Sequence, residues 1–286
     1  MLSRVRTAIG RHDTVRRMLH PYFELPRPIV IGHRGAAGER PENTLAAFAH
    51  GLETGAEILE SDLHLTRDGV VVMTHDETVD RTTDGSGPLR EFSFAELSKL
   101  DAGYRFSPDG GRTFPFRGQG LRIPALEEGL KMFSRTRFNL EIKADDPALI
   151  ERTVALIERE ERAQITLLTA EGDALMARLR AHLRARRVAA AVGAAAGDVL
   201  RFVRAALDAS APPTDAMALQ IPSSFAGRPL VTSELVAHAR THGVHVHVWT
   251  VNELPEMERL LDLGVDGLVT DFPGRMRALL RRRKLR

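Results

Sequence analysis

The chain contains no cysteine, which excludes disulfides, thiolate nucleophiles and thiolate-bound metal together. Aromatic residues are scarce, at 5% of 286 residues with a single Trp. No apolar run is long enough to span a bilayer, and the N-terminus lacks the continuous apolar segment of a signal peptide. The expected location is the cytoplasm. Hydrophobic residues still make up 43% of the chain, enough for one large core, and α/β barrels commonly reach this length as a single domain.

Net charge is also small, at +2, but it is unevenly spread. Residues 1–27 hold six Arg against Asp13 and Glu24, and residues 275–286 hold seven Lys or Arg and no acid, which leaves −9 for residues 28–274. The first end, with Leu2, Val5, Ile9, Val15, Met18, Leu19 and Tyr22 set among arginines, has the pattern of a basic amphipathic helix. Such a helix suits an anionic membrane surface. The plainer alternative is that it packs across the bottom of the fold. The chain divides into this extension (1–27) and a body (28–286) that ends in a basic tail, and no nucleic-acid partner is expected.

What is present is a rhythm. "IVIG", "EILESDLHLT", "VVVMTHD", "FNLEIK", "ITLLT", "MALQIP", "VHVHVWT" and "DGLVTD" read as short strands, most of them separated by helical stretches, and a weak further strand lies in the Ala-rich "RVAAAVG". Alternation of this kind predicts a parallel sheet covered by helices, closed as a (β/α)8 TIM barrel. "PENT" offers Asn43 or Thr44 as the N-cap of the first helix. Residues 84–124, rich in Gly, Pro and polar residues, read as an insertion after the third strand. Within it Tyr104, Phe106, Phe114 and Phe116 alternate with Arg105, Arg112 and Arg117.

In such a barrel the strand C-terminal ends build the active site. Glu60 and Asp62 are two apart on one strand and share a face. Glu141 and Lys143 repeat the pattern on another. Converging carboxylates are costly to bury, and a hard, oxygen-preferring cation relieves them; a layer of ion pairs is the alternative. His33, followed by Arg34, and His75 each end a strand, where imidazole can move protons near neutral pH. Carboxylates for a metal, cations for an anion and two proton carriers suit phosphoester cleavage.

"HRG", "PENT", "ESDLHLTRDGVVVMTHD", "DRTTDGSG", "LEIK", "VWTVNE" and "GVDGLVTDFP", in this order, resemble the glycerophosphodiester phosphodiesterase family from about Ile29 to the end of the barrel. The resemblance implies a (β/α)8 barrel that hydrolyses glycerophosphodiesters to glycerol phosphate and an alcohol, with one divalent cation, Ca²⁺ or Mg²⁺. It implies His33 and His75 as general acid and base, and Glu60, Asp62 and Glu141 as metal ligands. Arg34 and Lys143 would hold the phosphate, and Glu42 and Trp249 would join the substrate site. Glu42 could instead complement a helix dipole, and Trp249 could fill the barrel. His64 and His247 read as barrel-filling side chains, and Gln220 ends a late strand near the site. The alternatives within this reading are a lysophospholipase D and a catalytically idle barrel that binds phospholipid.

Overall fold

A computed structural model describes residues 20–170 and 172–285; residues 1–19 of the expected amphipathic extension lie outside them. Eight parallel strands form the barrel: β1 (Ile29–Gly32), β2 (Ile58–Leu65), β3 (Arg137–Ile142), β4 (Thr166–Ala170), β5 (Ala191–Val192), β6 (Ala218–Pro222), β7 (His245–Trp249) and β8 (Gly267–Thr270). Pairing runs β5-β4-β3-β2-β1-β8-β7-β6. A parallel bridge between Gly193 and Ala218 closes the ring from β5 to β6.

The helices α1 (Leu45–Thr54), α2 (Leu126–Met132), α3 (Pro147–Arg159), α4 (Asp173–Arg186), α5 (Ala196–Asp208), α6 (Ser233–Thr241), α7 (Leu254–Leu263) and α8 (Pro273–Arg282) each follow the strand of the same number. Their starts are written locally. Thr44 caps α1 by accepting from the Ala47 N–H, and Asp146 caps α3 ahead of Pro147.

Alternation along the strands divides the side chains. Leu59, Leu63, Phe138, Leu140, Ile142 and Leu168 face outward and pack against helix residues such as Phe48, Val154, Ile157 and Leu179. Ile29, Ile31, Ile58, Leu167, Ala191, Ala218 and Val269 form a separate inner cluster. The turn Pro21–Phe23 enters that cluster, with Tyr22 and Phe23 almost fully buried. Arg137, at the start of β3, bonds the carbonyls of Tyr22 (2.9 Å) and Pro21 (3.1 Å) and fixes the plug at the bottom. Burying each aromatic ring contributes roughly 1.5–3 kcal/mol.

Two strand expectations change places. "VVVMTHD" is not a barrel strand: Val71–Met73 pairs antiparallel with β2, Leu63 opposite Met73. Only five residues, Thr66 to Val70, join the two, and that length makes a hairpin, whereas a parallel return needs a crossover of a dozen or more. Gly69, at φ +80°, completes the turn. The eighth unit is instead the Ala-rich segment, as β5, where small residues leave room for neighbours. A Cβ on Gly193 would stand 2.5 Å from Gln220 Oε1.

The insertion follows Val71–Met73, third strand in the chain, and returns to the barrel at Ala125, bridged to Val72. It owns a small core of Val72, Val79, Leu89, Leu97, Ala102 and Ile123. Its aromatics and arginines pack on one another, with Arg117 3.9 Å from the Phe114 ring centroid and 4.2 Å from that of Tyr104. At the other end of the chain, residues 275–282 of the basic stretch belong to α8, which buries Met276, Leu279 and Leu280. Arg282 pairs with Glu258 and Arg283 with Asp262, both on α7. Among the described residues no helix is long and apolar enough to cross a membrane.

Candidate active site

β1 leaves the core at Gly32 and delivers His33 beside the end of β8, where the His33 N–H bonds the Thr270 carbonyl. The His33 ring is held at Nδ1 by Asp271 Oδ1 at 2.6 Å. Asn252 then fixes Asp271, donating from Nδ2 to Oδ2 at 2.6 Å and accepting the Asp271 N–H. Burial, the largest influence on His33, disfavours its charge, but the Asp271 hydrogen bond and the Glu60 and Asp271 charges outweigh it and raise the pKa. Nε2 is left facing inward, 4.0 Å from Glu60 Oε2.

His75, beyond the hairpin arm, repeats the device. Asp76 Oδ1 lies 2.6 Å from its Nδ1. Burial works against the Asp76 charge, yet hydrogen bonds from Arg81 and His75 bring its pKa down to about 2. The buried His64 bonds the His75 carbonyl through Nε2 at 3.0 Å. Burial chiefly lowers its pKa, so it stays neutral and serves as a donor to the backbone.

Between the two rings lie the carboxylates of β2 and β3. Glu60 is buried, and desolvation together with the Asp62 charge pushes its pKa up to about 7. Its Oε2 accepts the Arg34 N–H at 2.9 Å. Asp62, opposite Glu141 in register, meets Asn43 Nδ2 and Arg34 Nε, both at 3.3 Å, and Lys143 Nζ at 4.0 Å. Lys143 Nζ is 3.5 Å from Glu141. Arg34 reaches this position with φ +48° and Asn43 with +56°, a left-handed backbone that costs of order 1 kcal/mol and is held by the site around it.

Among the described residues no three His, Asp or Glu side chains are already arranged as a metal cluster, since Asp62 and Glu141 lean on Arg34 and Lys143. Burial first, and the adjacent Asp62 charge second, work against a charged Glu60. A hard cation would relieve both effects, and the carboxylates of Glu60, Asp62 and Glu141 are the oxygen donors it prefers.

Glu42 sits among cations: both of its oxygens accept from guanidinium groups, Arg34 Nη1 at 2.9 Å and Arg81 at 2.6 and 2.7 Å. Trp249, 45% exposed at the end of β7, is not a barrel-filling residue. His247 is one, fully buried beside His245. Gln220 Oε1 is buried in the interior with no hydrogen-bond partner among the described residues. Sequence reasoning missed Asp271, Asp76, Asn252 and Arg81. The signal was present for Asp271, which ends β8 as His33 ends β1.

The sequence profile of the Glycerophosphoryl diester phosphodiesterase family matches residues 33–275, a span that holds every one of these groups. The chain belongs to that family. A glycerophosphodiester phosphodiesterase of Caldanaerobacter subterraneus is 34% identical over 267 residues, covering 90% of this chain and 99% of that one. Human lysophospholipase D GDPD1 is 29% identical, covering 87% of this chain and 85% of that one. Among solved structures, an Oleispira antarctica phosphodiesterase in complex with the product sn-glycerol-3-phosphate superposes with a TM-score of 0.71 at 26% identity, covering 89% of this chain and 97% of that one. Fold and family therefore agree, and family membership makes the chain a phosphodiesterase by class.

Proposed function

We propose that this chain hydrolyses glycerophosphodiesters to glycerol phosphate and an alcohol, with His33 and His75 as proton carriers. One divalent cation, Ca²⁺ or Mg²⁺, would be held by Glu60, Asp62 and Glu141. The observation that carries the reading is the pair of histidine–carboxylate dyads at one barrel mouth, each closed at 2.6 Å through Nδ1, on either side of buried carboxylates and cations. Hydrogen bonding to Nδ1 sets the tautomer, so that Nε2 is the nitrogen that takes or gives a proton.

His33, whose charged form its neighbours favour, suits the general acid that protonates the departing alcohol. His75 removes the proton of the attacking hydroxyl, from water or from the glycerol moiety itself, and in the second case the cyclic phosphate that forms is opened by water to glycerol phosphate. Arg34 and Lys143 carry positive charge to the phosphoryl oxygens, and their attachment to Asp62 keeps them oriented before substrate arrives. A bound cation would supply further neutralisation of the charge that develops there.

A lysophospholipid substrate is the second reading. Phe225, 72% exposed on a small ribbon after β6, and Trp249 at the end of the neighbouring β7 lie at or beyond the C-terminal ends of adjacent strands, and an acyl chain would use that apolar area. The basic ends would then favour peripheral contact with anionic membranes.

The test is a panel of glycerophosphodiesters and lysophospholipids, assayed with product identification and with each cation. His33→Ala and His75→Ala should each lower kcat by ~10² to 10⁴, typical of losing a general acid or base, while both variants stay folded by circular dichroism. Near-normal turnover in either would remove that histidine from the mechanism.

A further inference from the structure

Arg81 lies in the "DRTTDGSG" stretch that leads from Val71–Met73 into the insertion, and the mechanism above assigns it nothing. Its guanidinium nevertheless spends three nitrogens on two carboxylates of the mouth. Nη1 and Nη2 grip Glu42 at 2.6 and 2.7 Å, and Nε meets Asp76 Oδ2 at 2.6 Å. On one side Asp76 holds His75 at 2.6 Å. On the other, Glu42 holds Arg34 at 2.9 Å, and Arg34 Nε is 3.3 Å from Asp62.

The result is one alternating chain of charge, His75–Asp76–Arg81–Glu42–Arg34–Asp62. Its three sections come from different places: the loop after β1, the strand β2 and the segment that follows Val71–Met73. We propose that Arg81 is a positioning residue that sets His75 and Arg34 in register with each other, joining the proton carrier to the phosphate-binding cation. The inference rests on the reading of function given above.

The chemistry requires arginine. A planar fork can present paired N–H groups to one carboxylate and Nε to a second, whereas a lysine ammonium is a single point of charge on a flexible stem. Removal would leave Glu42 and Asp76 facing each other across the gap with one cation fewer between them. Like charges then part, and each carries its partner with it: Asp76 takes the His75 ring and Glu42 takes Arg34. Arg81 is half exposed, so its loss should cost the fold little, and its effect should appear in catalysis.

Arg81→Ala and Arg81→Lys are compared with wild type for kcat and KM on glycerophosphocholine, for affinity toward sn-glycerol 3-phosphate, and for Tm. Arg81→Ala is expected to lower kcat by roughly 10- to 100-fold, the usual scale for a partner that orients a reacting group. Product affinity should weaken with it, because Arg34 loses its support. Tm should stay near wild type. Arg81→Lys should recover little, and added guanidinium ion at a non-denaturing concentration should raise the activity of Arg81→Ala but not that of wild type. In a His75→Ala background the kcat loss from Arg81→Ala should shrink, because the route through His75 is already gone.

Arg67→Ala is the control. It breaks the pair Arg67–Glu96, at 2.7 Å, where the hairpin meets the insertion away from the mouth, and should leave activity unchanged. Wild-type kcat and product affinity in Arg81→Ala would overturn the inference. So would a loss that Arg67→Ala reproduces, or one that multiplies unchanged onto His75→Ala. Full activity in His75→Ala would instead overturn the reading of function, so the two failures are told apart.

Discussion

His247 shows how one residue couples the barrel to pH. It is fully buried in the interior, neither ring nitrogen has a protein partner among the described residues, and burial brings its pKa down to about 4. In the unfolded chain the same ring titrates near its ordinary value of about 6.5. Its folded pKa is thus depressed. The stability it confers is complete above about pH 6.5 and is lost as pH falls toward 4, by up to about 3 kcal/mol. Urea unfolding of wild type should therefore weaken between pH 7 and 4.5, and His247→Gln should flatten that slope. An unchanged slope would mean that other groups set the acid limit. Sequence alone placed His247 inside the barrel, on the strand face it shares with Trp249 two residues on, but the ring that packs near it, Phe23 with its centroid 6.2 Å away, arrives from the other end of the chain.

At the scale of elements, the loop that carries His33 and Arg34 is seated by glycines. A Cβ on Gly51 of α1 would stand 2.5 Å from the Gly35 carbonyl oxygen, and one on Gly32 only 2.1 Å from it. Helix and loop touch backbone to backbone there. Gly51→Ala gains about 1 kcal/mol of helix propensity, yet overpacking against a backbone carbonyl costs about 1–3 kcal/mol. The clash should win: the urea midpoint should fall and kcat should drop with it, since the displaced loop bears the site. A higher midpoint would show that the contact has slack. The strand–loop–helix order of this unit, and its N-cap at Thr44, were legible in "IVIGHRG" and "PENT" because strands, turns and caps are local. The direction of Val71–Met73 was not, because an apolar run of three or four residues reads alike whether its partner is parallel or antiparallel.

For the whole molecule, the proposed cation should act on activity and stability together. Exhaustive chelation should abolish hydrolysis, and Ca²⁺ or Mg²⁺ should restore it. Saturation at about 100 times Kd should add about 2.7 kcal/mol of stability, because the ion binds the folded barrel alone. Full activity after chelation, with no metal by elemental analysis, would remove the cation from the site. The sequence by itself determined the barrel class and the rim residues His33, Glu60, Asp62, His75, Glu141 and Lys143. Period-two alternation and strand ends lie within a few residues of one another, and a parallel α/β barrel turns strand ends into a mouth. Only the tertiary structure decided what holds those residues. Asp271 reaches His33 across 238 residues of chain and Arg81 reaches Glu42 across 39, and a hydrogen bond of 2.6 Å is specified by closure of the ring, which no local pattern encodes.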